Sequence, residues 1–329
     1  MQTVYQLTLA ATMITVLLIG GILSPRVATA ATYYVAITGS DANPGSLSQP
    51  FRTIGKGVSV LAAGDTLYLR EGIYTNQHVG YPTSQSVPSG TSWSNAVTIA
   101  GYQDETVTLT GIQLLGTEQY LIFDKLILDA SSGSFGGIFL NCDVHHIRFQ
   151  NGEVKNSRPG DMLVMGCGSN FEVLNSKIHN AAVYGFYWFG RDSLFDGNEV
   201  YDNAGYAYHI FSSGQNNVSN NIVRNNTIHG NGFNGSAGGS GGLLISCGSN
   251  NQAYNNVIYG NISGIEVGYR CTNCQVSNNT IHDNTYYGIY IGVDGFYTIV
   301  ADNIVYQNGS AIDDYGIGTT LIDNLLAQP

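Results

Sequence analysis

A chain of 329 residues with 12 Lys and Arg against 23 Asp and Glu carries a formal charge of −11. That balance excludes nucleic acid as a partner, since phosphate binding needs a basic surface. Charged residues make up only 11% while Gly (42) and Tyr (22) are abundant, the reverse of a disordered composition. A polyanionic ligand would need a local basic pocket or a bridging cation.

The chain opens with an almost continuously apolar run, Leu7–Leu23, followed by the small residues Ala28-Thr29-Ala30. Residues 1–30 read as a signal peptide, although no Lys or Arg precedes the apolar run. An uncleaved anchor is the rival reading, with a run short for a full membrane span. The expected location is secreted or extracytoplasmic, with no membrane attachment after cleavage.

Residues 31–75 read as a start module. Tyr33-Tyr34-Val35-Ala36 is a strand, and Phe51–Ala62 sets Ile54, Val58 and Leu61 at the spacing of a short amphipathic helix. Gly64-Asp65 ends it, and Thr66-Leu67-Tyr68-Leu69 alternates as a second strand. The polar stretch Asn76–Asn95 reads as a surface loop, and Ala96–Ile99 and Thr106–Leu109 resume the strands.

From there one phrase repeats. Val257-Ile258-Tyr259-Gly260-Asn261, Thr280-Ile281-His282-Asp283-Asn284 and Ile304-Val305-Tyr306-Gln307-Asn308 each follow an Asn, and those Asn are 23 and 24 positions apart. Repeats of this length are stacked supersecondary units. One apolar position recurs at Leu128, Val154, Ile178, Val200, Ile228, Ile258, Ile281, Val305 and Leu326. The two longest steps hold the insertions Gly214–Ser219 and Gly230–Gly242.

The pattern predicts an all-β fold: a right-handed, single-stranded parallel β-helix of coils about 22–30 residues long. A short N-terminal helix caps it, residues 76–329 form the coils, and 31–329 make one domain. Strands about 4.8 Å apart would stack Asn198, Asn226, Asn256, Asn279, Asn303 and Asn324 into one ladder, and Asn203, Asn231, Asn261, Asn284 and Asn308 into another. Asn also suits left-handed turn positions. A third row, His179, Tyr201, His229, Tyr259, His282 and Tyr306, follows the buried position by one residue and so points outward.

The opening segment, Tyr33-Tyr34-Val35, Gly39-Ser40-Asp41, Asn43-Pro44-Gly45, Pro50-Phe51-Arg52-Thr53-Ile54, then Gly64-Asp65-Thr66-Leu67 and Gly72-Ile73-Tyr74, resembles that of secreted right-handed β-helix proteins of the pectate-lyase-like superfamily. The resemblance implies the fold and a substrate groove on the exposed face of the Gly-Ile strand. It leaves the activity open, because that superfamily hosts lyases, hydrolases, epimerases and adhesins.

Five Cys in an exported chain permit disulfides. Cys142 and Cys167 each follow an inward residue by two, taken as Leu140 and Met165, so they should be stacked neighbours within disulfide reach. Cys247 lies one coil from Cys271 and Cys274, and this lone C-x-x-C has no second pair at zinc spacing.

Strand alternation places Phe139, Val164, Tyr187, His209, Leu244, Glu266, Tyr290 and Asp313 along the groove floor. The catalytic candidates are His209, Glu266, Tyr187 and Arg191. Tyr184, Tyr290, Arg270, Tyr269, Asp161 and Asp313 are the substrate-binding candidates. His209 stands outside the His/Tyr row and offers a proton carrier near neutrality, unless it is simply an exposed His in a Tyr-rich patch. Glu266 and Asp313 lie two coils apart, a spacing that overlaps the carboxylate separation of inverting glycosidases, about 6.5–9.5 Å, though surface charge explains Asp313 as well.

The resemblance to pectate lyases implies a Lys or Arg base and calcium held by an Asp cluster. Lys125, Lys155 and Lys177 fall on other faces, and no tight Asp cluster precedes Asp313-Asp314. Calcium is therefore possible only as an unassigned cofactor, and no metal ligands are identified. The Asn-Thr-Asp and Gly-His-Gly signatures of polygalacturonases are absent. The expected function is a secreted lyase-like or hydrolase-like enzyme cleaving a (uronic-acid-containing) glycan. The alternative is a non-catalytic extracellular or envelope β-helix that binds glycan or a protein partner. Leu321–Leu326 begins a further coil with no capping helix after it, which predicts either self-association through an open end or a truncated sequence.

Overall fold

In a computed structural model, residues 29–81, 86–133, 135–211, 218–233 and 241–327 are described. Residues 1–28 of the predicted signal peptide and parts of both insertions lie outside them.

The repeat folds into a parallel β-solenoid of about nine turns with very little helix. Each turn contributes three short strands to three parallel rows. One row is a 12-stranded sheet running from Thr32–Val35 to Thr320–Ile322. The other two are joined through the long strand Val107–Leu114, which pairs with both Ile127–Asp129 and Ile138–Leu140.

The apolar ladder holds in register throughout, Leu128 facing Val154, then Ile178, Val200, Ile228, Ile258, Ile281, Val305 and Leu326. Phe123, Phe149, Phe195 and Trp188 are fully buried in the same core. In the last turn Leu321 and Leu326 are exposed.

Both asparagine ladders form. From Asn226 onward Asn Nδ2 and the backbone N–H of the same residue donate to the next ladder Oδ1, as Asn256 does to Asn279 (2.9 and 3.0 Å) and Asn279 to Asn303 (3.0 and 3.0 Å). Asn203, Asn231, Asn261, Asn284 and Asn308 repeat the arrangement at the next corner. A third, shorter ladder joins Asn221 to Asn251.

The left-handed residues are not the ladder Asn but their predecessors: Asn225, Asn255, Asn278 and Asp302 before one ladder, and Asp202 and Asp283 before the other. That division of labour is physical. The strained corner residue turns the chain, and the next side chain then drops inside to satisfy backbone carbonyls such as Ala253 O.

The outward row stacks ring on ring. His179, Tyr201, His229, Tyr259, His282 and Tyr306 have centroids 4.5–5.2 Å apart and planes within 4–9°. Rings stacked face to face show only their edges to solvent, so this column offers no flat face to a sugar.

The cap is shorter than predicted. The helix spans Ile54–Val58, with Thr53 Oγ1 accepting from Lys56 N–H. Gly57 lets it lie against the first turn, since a Cβ there would come within 2.7 Å of Val35. Ile54, Val58 and Leu61 are buried as their spacing implies. The strand Gly72–Gly80 runs into the stretch read as loop from Asn76 onward, because it has Val107–Leu114 to pair with.

Candidate active site

The site sits on the row Ile138–Leu140, Val164–Gly166, Phe186–Trp188, Tyr208–Ile210, Leu243–Ser246, Ile265–Gly268, Tyr287–Ile291 and Ser310–Asp314. Its outward residues in register are Gln113, Phe139, Met165, Tyr187, His209, Leu244, Glu266, Tyr290 and Asp313. The expected Val164 is inward, and Met165 takes its place. Alternation misled here because Leu163 and Val164 are both buried. The inward position opposite Leu140 belongs to Gly166, where a Cβ would come within 3.0 Å of the Trp188 ring. Cys167 therefore follows its inward residue by one and not two. The Cys142–Cys167 disulfide forms nonetheless, at a Cα separation of 4.4 Å, and a second joins Cys271 to Cys274.

His209 lies in the row but is not exposed as expected. Tyr184 and Tyr206, which lead into their strands, fold over it with ring centroids 4.7 and 5.4 Å away, and Tyr187 and Phe211 close the sides at 5.0 and 5.2 Å. Burial pushes its pKa down to about 4. Its Nδ1 has no hydrogen-bond partner among the described residues. A neutral imidazole walled in by phenols is part of the groove's lining and does not exchange a proton near neutrality. The same burial raises the pKa of Tyr184 and Tyr187.

Two strands further on, Glu266 stands on the floor of a cavity of about 260 Å³ lined by Leu244, Tyr269, Tyr290, Val293 and Asp294 among others. Burial raises its pKa, and the Tyr206 and Ser263 hydroxyls, hydrogen-bonded to it, pull the other way. The Tyr206 bond measures 2.8 Å to Glu266 Oε2. A carboxyl whose protonated form burial favours, at the base of a cleft, is suited to donate a proton.

Asp294 was not foreseen. It lies in the turn after Tyr287–Ile291, where its Oδ1 accepts the Tyr269 N–H at 2.8 Å and fixes the loop that carries Tyr269 and Arg270. The run Gly292-Val293-Asp294-Gly295 was the available signal, a single carboxylate beside the floor strand.

The other candidates are placed as follows. Tyr290 adjoins Glu266 on the next strand, with Asp313 one strand beyond it and bonded by the Ser310 hydroxyl. Tyr269 and Arg270 are exposed in the turn after Ile265–Gly268, both left-handed, and of the two only Tyr269 lines the cavity. Asp161 is ion-paired with Arg158 at 3.2 Å. Arg191 pairs with Asp192 at 3.2 Å, and its backbone bridges Ser169 where the chain has already turned toward the 12-stranded sheet. Arg191 thus lies beyond the floor strand.

Among the described residues no group of three or more His, Cys, Asp and Glu is placed to hold a metal ion. Calcium takes six to eight oxygens, and the cavity offers two carboxyls, one of them favoured in its protonated form. The donor set does not fit that ion.

With the geometry in view, comparison with known proteins is informative. Residues 110–236 and 161–326 match the family described as the right handed beta helix region, overlapping spans that take in most of the sequence. The chain belongs to the right-handed β-helix family. Within reach of it is the uncharacterized protein YwoF of Bacillus subtilis (strain 168), 25% identical over 341 residues, or 84% of this chain and 68% of the relative. Pectate lyase PEL9 of Emericella nidulans is 39% identical over 90 residues, 27% of this chain and 20% of that enzyme. The crystal structure of pectate lyase Pel9A aligns with a TM-score of 0.60 at 19% identity, covering 88% of this chain and 78% of its own. At that identity the likeness to this β-helix speaks for the fold, and function has to be argued from the site.

Proposed function

We propose that this β-helix is an extracytoplasmic glycan-cleaving enzyme of the hydrolase type, with Glu266 as the proton donor. The observation that carries the reading is Glu266 itself: a half-buried carboxyl with a raised pKa, oriented by Tyr206, on the floor of an aromatic cavity. Two disulfides support an oxidising compartment.

Hydrolysis of a glycosidic bond uses two carboxyl groups. Glu266 gives its proton to the leaving oxygen as the C–O bond breaks, and Asp294, on the same cavity wall, takes the proton of the attacking water. Asp313 is the poorer second carboxyl, because Tyr290 stands between it and Glu266. Tyr184, Tyr187, Tyr206 and His209 exclude water from the neighbouring floor and hold the Tyr206 hydroxyl in place. Tyr269 and Tyr290 supply faces for sugar rings.

The test is incubation of the full chain with a panel of glycans, following reducing ends and unsaturated-uronate absorbance. New reducing ends without absorbance at the unsaturated bond are expected, and their loss in Glu266→Gln. Unsaturated products would overturn hydrolysis in favour of elimination. Glycan binding with no product from any substrate would leave a binding module.

A further inference from the structure

Charge around the cavity carries the argument one step further, to the class of glycan. The outward row from Gln113 to Asp313 contains no Lys or Arg, and its one imidazole is neutral at pH 7. No cation lines the cavity among the described residues, whereas the Asp294 carboxylate does. The two nearby guanidinium groups on the N-terminal side are engaged, Arg158 with Asp161 and Arg191 with Asp192, and Arg270, exposed in the turn after Ile265–Gly268, does not line the cavity. Asp313 adds further negative charge along the same floor.

A polyuronate would bring one carboxylate per sugar into this field. Like charges a few ångströms apart in a partly desolvated cleft repel by kilocalories, and the donor set does not fit a calcium ion that would bridge them. What the groove does offer is aromatic surface. Tyr290 has Tyr287 and Tyr315 beside it, at centroid distances of 5.0 and 5.9 Å, and Tyr269 and Tyr315 are more than half exposed. Their planes are tilted to one another by 36° and 49°, so unlike the stacked His/Tyr column they leave ring faces open.

We infer that the groove takes an uncharged polysaccharide, laid along the solenoid axis with consecutive sugars on Tyr269, Tyr290 and Tyr315, and that it rejects polyuronates. The inference rests on the Glu266 cavity being the substrate site.

Binding, measured by affinity electrophoresis and calorimetry with the full chain, separates the two ideas. The ligands are xylan, mixed-linkage β-glucan and galactomannan as uncharged glycans, and polygalacturonate and alginate as charged ones, each with and without calcium. Retention of at least one uncharged glycan is expected, weakened about tenfold by Tyr290→Ala, with no polyuronate binding in either buffer. Asp294→Asn keeps the acceptor for Tyr269 N–H and should raise polyuronate affinity severalfold. If wild type binds an uncharged glycan and makes no product from it, the hydrolase reading fails and the substrate class stands. Tight polyuronate binding, or no uncharged glycan bound, overturns the inference whatever the fate of Glu266.

Discussion

The Tyr206 hydroxyl donates a 2.8 Å hydrogen bond to Glu266 Oε2 although 60 residues separate them and their floor strands are two steps apart. The phenol reaches over Leu244 to tie the enclosed half of the groove to the open half. Glu266 feels that bond as a stabiliser of its charged form, opposing burial. Tyr206→Phe should therefore raise the Glu266 pKa further. The alkaline limb of the kcat/KM profile, set by loss of the donor's proton, moves to higher pH, and kcat falls about tenfold, or ~1.4 kcal/mol. An unmoved limb would reduce Tyr206 to packing.

Glu266→Gln separates catalysis from stability. The amide keeps an oxygen to accept from Tyr206 but has no proton to give, so activity should fall by at least about a hundredfold. Burial opposes the charged carboxylate, and a raised folded pKa means stability is lost as pH rises through it. The neutral amide avoids that loss. Above the folded pKa the variant should be more stable than wild type by roughly 0.5–2 kcal/mol, the usual gain when a functional group is retired. Paired thermal melts at pH 5 and pH 8 check this: the gain should appear at pH 8 and shrink at pH 5.

The solenoid was legible because its physics is periodic. A buried position every coil, an Asn two residues before it and an aromatic one residue after it follow from strand alternation alone, and all three rows hold in the structure. The register slipped only where Gly166 gives its inward place to Trp188, since two adjacent apolar residues leave alternation undetermined. The groove was legible in part. Glu266 and Tyr290 stand where the repeat is interrupted, and register finds them. Enclosure of His209 was not readable, because Tyr184 and Tyr206 cover it from outside the strands and no periodicity governs those positions. Asp294 was missed for the same reason, as a turn residue beyond the row.

The Cys142–Cys167 disulfide closes a 25-residue loop between neighbouring turns. Loop-closure entropy for that length corresponds to about 3–4 kcal/mol. The double variant Cys142→Ser/Cys167→Ser should lose that stability in urea unfolding while keeping its far-UV spectrum, because the surrounding strands are paired independently. An unchanged midpoint would mean that the link forms after the fold and adds nothing to it.

Asn279 stands in mid-ladder, donating to Asn303 Oδ1 and Ala253 O and accepting from Asn256 N–H and Nδ2. Asn279→Ala strips these bonds from fully buried groups with no water to replace them. Each orphaned buried partner costs about 1–3 kcal/mol, so a loss of at least about 3 kcal/mol is expected. Asn279→Asp should be as harmful, since a carboxylate cannot donate to Ala253 O. Hydrogen exchange should rise first at the Asn256 and Thr280 amides, the latter being paired to Asn256 O. Uniform exchange along the chain would instead show that the turns unfold as one unit.

His209 sets the acid limit of the fold. Its pKa is about 4 in the folded chain against an ordinary value of 6.5, with burial the cause. Between those values the unfolded chain binds a proton that the folded chain refuses, so stability is whole above pH 6.5 and drains away as pH falls toward 4. The full span of the shift corresponds to on the order of 3 kcal/mol. The groups facing the imidazole are the Tyr184, Tyr187 and Tyr206 phenols, which stay neutral throughout that range, and the Phe211 ring. None of them answers the incoming charge. His209→Phe fits the same aromatic enclosure and removes both the titration and the unpartnered Nδ1. Its stability curve should be markedly flatter than wild type between pH 6.5 and 4, with little difference above pH 7. Superimposable slopes from urea melts across that window would show that the imidazole reaches water and that the enclosure of the groove's N-terminal half is incomplete.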